Sequence, residues 1–309
     1  MARIVQPDDS GIAAAVDALR RGELIGLPTE TVYGLAADAT SDAAVQRVFS
    51  VKGRPATHPL IVHIADADGL ETLTKQLTPN LRALADAFWP GPLTMIVRAN
   101  QSVSRRVTGG RDTVAVRCPS HSVARAVIRR LGHAIAAPSA NRFGAVSPTT
   151  AQHVVADLGA DIDIVLDGGE CHVGVESTIV DCTSNDVVLL RPGAVTAEQI
   201  DAVLRADDHP QASRVTDGTA SESRAPGMLQ SHYAPRARLV LHESGDHVDA
   251  GSAPVLDFSG DLHDAAQRLY RDLRQLDADG VALAHIVLPP PGGLGQAIRD
   301  RLTKAAAGR

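Results

Sequence analysis

The chain has 309 residues and a mass of 32.3 kDa, enough for one large domain or two ordinary ones; 44% of its residues are hydrophobic but only 3% aromatic, so Ala, Val and Leu must fill the core. A formal charge of −6 and a pI near 6.0 supply no global basic field for stable nucleic-acid binding, although a local patch is compatible with them. No apolar run approaches the roughly 20 residues that span a bilayer, and Cys118, Cys171 and Cys182, odd in number and without C-x-x-C spacing, give neither a disulfide framework nor a zinc site.

In chain order, Met1-Ala2-Arg3-Ile4-Val5 runs at once into polar, acidic residues, unlike a signal sequence, so a soluble cytoplasmic protein is expected. Ile12, Val16 and Leu19 fall at helical spacing after Pro7-Asp8-Asp9-Ser10, with Gly22 as the stop. The apolar run Leu24-Ile25-Gly26-Leu27 predicts a buried strand ended by Pro28, and the polar turn Thr29-Glu30-Thr31 follows at its tip. Hydroxyls and a carboxylate there suit a small polar ligand, and an ordinary strand-end turn reads the same from this segment alone. Ser41-Asp42 caps a second helix carrying Val45, Val48 and Phe49. Leu60–Ile64, Leu93–Val97 and Val114–Arg117 read as strands, and Ser147-Pro148 reads as the cap and first residue of another helix. Residues 205–225 are polar and aperiodic, a linker. Beyond it, Arg238–Leu241 and Ile286–Leu288 read as strands and Leu262–Leu276 as a helix. Alternating strands and helices predict an α/β sheet protein.

Six segments share one character, polar residues beside buried apolar ones. They are Pro28-Thr29-Glu30-Thr31-Val32-Tyr33-Gly34, Lys52-Gly53-Arg54-Pro55, Phe88-Trp89-Pro90-Gly91-Pro92-Leu93-Thr94, Ala136-Ala137-Pro138-Ser139-Ala140-Asn141, Gly174-Val175-Glu176-Ser177-Thr178 and Leu190-Arg191-Pro192-Gly193. In this order, from about residue 8 to 200, they closely resemble the threonylcarbamoyl-AMP synthase family, built on the YrdC-like domain. The Ala225-Pro226-Gly227-Met228 and His232-Tyr233-Ala234-Pro235 pieces resemble the linker of its two-domain members. The resemblance implies a twisted mixed α/β sheet with flanking helices over residues 1–204, a linker at 205–237 folding over the active site, and a small Rossmann-like α/β domain at 238–309.

It also implies the reaction. L-Threonine, bicarbonate (or CO2) and ATP, with Mg2+ accompanying the nucleotide, would give threonylcarbamoyl-adenylate and pyrophosphate. A downstream complex would then pass the threonylcarbamoyl group to the tRNA adenosine beside the anticodon. The nucleophile belongs to the substrate, and the chain has no G-x-S-x-G elbow and no Cys-His pairing signature. What the protein must supply is positioning and positive charge. By resemblance, Thr31, His63, Arg117, Ala137 (through its backbone) and Ser177 would bind threonine. Arg54, His58, Thr113, Ser139, Ser147, Arg191 and Tyr233 would face ATP, with Asn141 in support, and Lys52 and Arg54 would act catalytically through their charge. Tyr233 would close the site against water.

No P-loop sequence is present, so ATP would be held differently. Glu170-Cys171-His172 lacks metal-ligand spacing and reads as a loop Cys and His, so no dedicated protein metal site is expected. Two other functions compete. An RNA-binding module is disfavoured by the acidic charge and few aromatics. A carbamoyltransferase of hydrogenase maturation shares this domain but carries zinc-finger and acylphosphatase-like regions missing from this chain.

Overall fold

Capping side chains set the first helices where the sequence places them. The computed structural model describes residues 2–206, 216–217, 227 and 232–307. After strand β1 (Arg3–Val5), Asp8 accepts the Gly11 amide at 2.8 Å and starts α1 (Asp9–Arg20). Strands β2 (Ile25–Leu27) and β3 (Gly34–Asp38) flank the Thr29–Thr31 turn. Ser41 caps α2 (Asp42–Lys52), which ends at Gly53 in the left-handed region (φ 65°), turning the chain toward Arg54. Then come β4 (Ile61–His63), α3 (Pro79–Phe88), β5 (Leu93–Arg98), β6 (Thr113–Arg117), α4 (Ser122–Leu131) and β7 (Ile135–Ala136). The elements of the N-terminal part finish with α5 (Ala151–Leu158), β8 (Ile164–Leu166), β9 (Thr178–Asp181), β10 (Val188–Arg191), α6 (Ala197–Ala206) and the short β11 (Thr216–Asp217).

Among the described residues these strands form a mixed sheet in the order β1-β8-β2-β3-β7-β4-β6-β5-β9-β10-β11. Parallel pairs (β4 with β6, β5 with β9) alternate with antiparallel ones (β5 with β6, β4 with β7). The two-residue repeat of a strand then sorts the side chains. On one face Val62, Met95, Val97, Val114, Val116 and Val180 join the main core with Val45 and Val48 of α2, Leu81 and Leu84 of α3, and Ile200 and Leu204 of α6. On the other, Ile61, Ile96, Ala115 and Ile179 make a small apolar floor. Two residues along from that floor stand His63, Thr94, Arg117 and Ser177, all buried. A third cluster packs α1 and α4 over β2 and β8.

One helix start differs from expectation. Ser147 is not a cap, because its hydroxyl donates to Glu176 at 2.6 Å, while the Pro148 carbonyl accepts the Tyr33 amide at 2.8 Å. That pairing holds the segment non-helical, and α5 starts later, where Thr150 caps it through the His153 amide. The strand expected over Leu60–Ile64 is shorter, Ile61–His63, so that His63 is its last residue.

The C-terminal part is a three-stranded parallel sheet ordered β12 (Arg238–His242), β14 (Leu283–Val287), β13 (Val255–Asp257), with α7 (Leu262–Ala278) and α8 (Leu294–Ala306). Its core of Phe258, Leu269, Tyr270, Leu273, Ile286, Ile298 and Leu302 is continuous with Val32, Val146 and Val175 of the large sheet's loops and with Tyr233. The rest of the linker expected at 205–237, including Ala225-Pro226 and Met228, lies largely outside the described residues. No helix among the described residues is long and apolar enough to cross a membrane.

Close approach of backbone and side chains makes Gly26 a test of this packing. A Cβ there would stand 2.8 Å from Val165 and 3.1 Å from Val154. Gly26→Ala is expected to cost about 1–3 kcal/mol by overpacking, and adding Val165→Ala should relieve it. Chemical denaturation of the two single variants and the double one checks this; strictly additive losses would contradict it.

Candidate functional site

The polar end of the sheet's second face becomes a cavity, lined by Thr31, Arg54, His63, Arg117, Ala137, Ser139, Glu176, Ser177, Arg191 and Tyr233 among others. Nine residues of this set were expected from sequence to touch either threonine or ATP: Thr31, Arg54, His63, Arg117, Ala137, Ser139, Ser177, Arg191 and Tyr233; Arg54 was also expected to act catalytically.

At one end Arg117 organises the loop after β2. Its guanidinium donates to Thr31 Oγ1 at 2.8 Å and to the Gly91 carbonyl at 3.2 Å. It meets Glu30 Oε1 at 2.7 Å as an ion pair, misaligned for a hydrogen bond, with both side chains buried. Burial works against the Glu30 charge, yet Arg117 and nearby backbone amides outweigh it and hold the carboxyl below its ordinary range. Thr29 shapes the same turn by donating to the Val32 carbonyl at 2.6 Å. His63 is held neutral: burial first, then Arg117, pushes it down to about 3.

At the other end cations gather. Arg54 is buried, donates to the Pro59 carbonyl at 2.9 Å, and has no hydrogen-bond partner for Nε among the described residues. Burial lowers it to about 10. Arg191 donates to the Ser177 carbonyl at 2.9 Å and to Ser177 Oγ at 3.1 Å, and the same Oγ lies 2.7 Å from Thr94 Oγ1.

Lys52 departs from expectation. Its ammonium is buried and donates to the Ser139 and Asn141 carbonyls at 2.5 and 2.6 Å, so it clamps that loop and does not line the cavity. Asn141 donates to the Arg142 and Ala145 carbonyls, each at 2.8 Å, fixing the loop from within. Three further expected residues also lie outside the lining. Half-buried His58 lies tilted against Phe143 (5.7 Å between rings), Thr113 starts β6 opposite Arg98, and Ser147 is turned to Glu176.

Tyr233 lines the cavity from the linker side. It is buried and carries φ 64°, a left-handed backbone that non-glycine residues seldom adopt, held by packing on His232 and Tyr270. Glu176 accepts from Ser147, Tyr270 and Arg301; burial alone would raise its carboxyl, but the Arg301 and Arg191 charges, with the hydrogen bonds from Arg301 and Ser147, bring it down to about 2.

Sequence reading gave no role to Thr94, Glu176, Tyr270 or Arg301, and of Glu30 it said only that a carboxylate in that turn suits a small polar ligand. Glu30 and Thr94 stand inside the quoted motifs and were available. Tyr270 and Arg301 sit on amphipathic helices far along the chain, and no local signal marks them.

The assembled site offers a guanidinium–carboxylate corner with hydroxyls for a small zwitterion, beside buried cations for an anion. The three cysteines lie outside the lining and are not activated as nucleophiles: burial raises all three thiols, Cys118 to about 11 and Cys171 and Cys182 further still.

Buried histidines make a pH prediction. His63 and His232 are pushed down to about 3 and His153 to about 4, each chiefly by burial, against about 6.5 when unfolded. Folded values below the unfolded one mean that their contribution to stability is full above about pH 6.5 and is lost as pH falls toward those values. Denaturation between pH 7 and 4 should show falling stability, and His63→Asn should reduce the slope by up to about one proton. An unchanged slope would remove His63 from this account.

Comparison with known proteins gives the family. The Sua5/YciO/YrdC family model, described as telomere recombination, matches residues 17–193, and the threonylcarbamoyl-AMP synthase C-terminal domain matches residues 195–307. The chain is 40% identical to the threonylcarbamoyl-AMP synthase of Pyrococcus abyssi, over 96% of this chain and 94% of that one. It is also 40% identical to that of Bacillus subtilis, over 98% and 94%. The crystal structure of P. abyssi Sua5 complexed with L-threonine superposes with a TM-score of 0.88 at 37% identity, covering 96% of this chain and 94% of that one. With both domains matched and laid out as in that structure, the chain belongs to the Sua5/YciO/YrdC family and carries the C-terminal domain of threonylcarbamoyl-AMP synthases.

Proposed function

We propose that the protein is an L-threonylcarbamoyladenylate synthase acting in tRNA modification. The observation that carries this reading is the meeting, in one cavity, of Arg117 and Thr31, backed by Glu30, with the Arg54 and Arg191 cations. The related structure bound to L-threonine supports a zwitterion at the first end.

Threonine's carboxylate would meet Arg117, a bidentate partner that Lys cannot replace. Thr31, neutral His63, Ser177 and the Ala137 backbone would complete the contacts. Bicarbonate and the amine give a carbamate with loss of water. A carbamate oxygen then attacks the α-phosphorus of ATP, and the bond to the β-phosphate's bridging oxygen breaks, releasing pyrophosphate. Arg54 and Arg191 would stabilise the charge that builds on the phosphates, with His58, Thr113, Ser139 and Ser147 around the nucleotide. Lys52 and Asn141 would keep the Ser139 loop in place. Mg2+ would ride on the triphosphate and water, since Glu176, the carboxylate lining the cavity, is committed to Arg301, Ser147 and Tyr270. A separate transferase complex would take the product to tRNA.

Pyrophosphate release, assayed without tRNA, tests the reaction: it should require L-threonine and bicarbonate together. Release indifferent to threonine would break the substrate assignment. For Tyr233, whose ring lines the cavity, water exclusion from a hydrolysable mixed anhydride is the expected job. Tyr233→Ala should therefore lower the yield of intact adenylate more than it lowers ATP affinity, as read by product chromatography and nucleotide titration. Equal losses would argue against closure as its role.

A further inference from the structure

The C-terminal domain drives one fully buried charge into the back of the site, and the reaction just described leaves that charge unexplained. Arg301 on α8 is 0% exposed. It donates to Glu176 Oε2 at 2.8 Å, to Asp300 Oδ2 at 2.6 Å and to the Pro192 carbonyl at 3.0 Å, and its guanidinium lies 5.4 Å from the centre of the Tyr233 ring. Pro192 follows Arg191 directly, and Glu176 precedes Ser177, which accepts from Arg191. One turn further on, Lys304 donates to the Gly227 carbonyl at 2.8 Å, and its own carbonyl accepts the His232 amide at 3.3 Å. The helix therefore grips both sides of the cavity's anion end.

A carboxylate beside a site for phosphates is a liability. Unpaired, Glu176 would repel the nucleotide and compete with it for Arg191, strongly so in a buried setting. We propose that Arg301 is a positioning residue for the nucleotide. By neutralising and orienting Glu176, it leaves the cationic charge of Arg54 and Arg191 to act on the triphosphate, which makes the C-terminal domain a working part of the ATP site. This rests on the nucleotide reading above.

The test is equilibrium titration of the full chain with α,β-methylene-ATP, which needs no turnover, alongside thermal denaturation. Arg301→Met should weaken binding by about tenfold or more, while threonine affinity stays within about threefold, because the Arg117–Glu30 corner is untouched. Glu176→Gln added to Arg301→Met should recover most of the loss, since no lone carboxylate remains. Arg271→Ala, which breaks an exposed pair with Glu170 across the same domain border, should bind as wild type. Nucleotide affinity unchanged in a destabilised Arg301→Met, or a double variant no tighter than the single one, would overturn the proposal. If Arg301→Met does not fold, Arg301→Lys against Arg301→Gln carries the same test, and equal affinities overturn it. Wild type that fails to bind the analogue sinks both readings. Normal binding without threonine-dependent pyrophosphate release sinks only the substrate assignment.

Discussion

A buried guanidinium is costly unless its charge and most of its donors are matched, and this constraint shapes the site more than any other. Arg117, Arg191 and Arg301 all lie under the surface, and each is fastened to carbonyl, hydroxyl or carboxylate oxygens on a different loop. Because a fork with five donors fixes direction as well as distance, each arginine sets the conformation of the loops that it touches. The Thr29–Thr31 turn, the Gly91 corner and the Glu176–Ser177 segment are thus arranged around three cations. The opposite charges matter equally. Glu30 and Glu176 stay ionised against the pull of burial because guanidinium groups stand beside them.

The sheet explains why these loops can be so placed. Its strands carry apolar residues on both faces, but at one end of one face the pattern changes to His63, Thr94, Arg117 and Ser177. Neighbouring strands bring the four together, since His63 pairs with Arg117 in register. A rigid floor of Ile61, Ile96, Ala115 and Ile179 lies beside them. The C-terminal domain covers the remaining side, and its core runs without a break into Val32, Val146 and Val175. Its contribution is therefore chemical as well as structural: Tyr270 and Arg301 complete the hydrogen bonding of Glu176.

Much of this was legible in the chain. Capping residues and apolar periodicity located α1, α2 and α7 closely, because these signals act within a few residues. The motif loops also led to the cavity, since most of their marked residues line it. Failures came where a distant partner competes with a local rule. Ser147-Pro148 has the form of a helix start, but Glu176 and Tyr33 claim the segment from elsewhere. Lys52 has the form of a catalytic charge, but two carbonyls of the Ser139–Asn141 loop take its ammonium.

The sequence by itself determined the α/β class, the family resemblance and the set of polar loops, for these depend on spacing and residue type along a short stretch of chain. Only the tertiary structure decided which carboxylate answers which arginine, that Lys52 faces inward to backbone, and that α8 reaches the site. Burial and pairing of charges depend on what surrounds a residue in space, and Glu176 and Arg301 are separated by most of the C-terminal half of the chain.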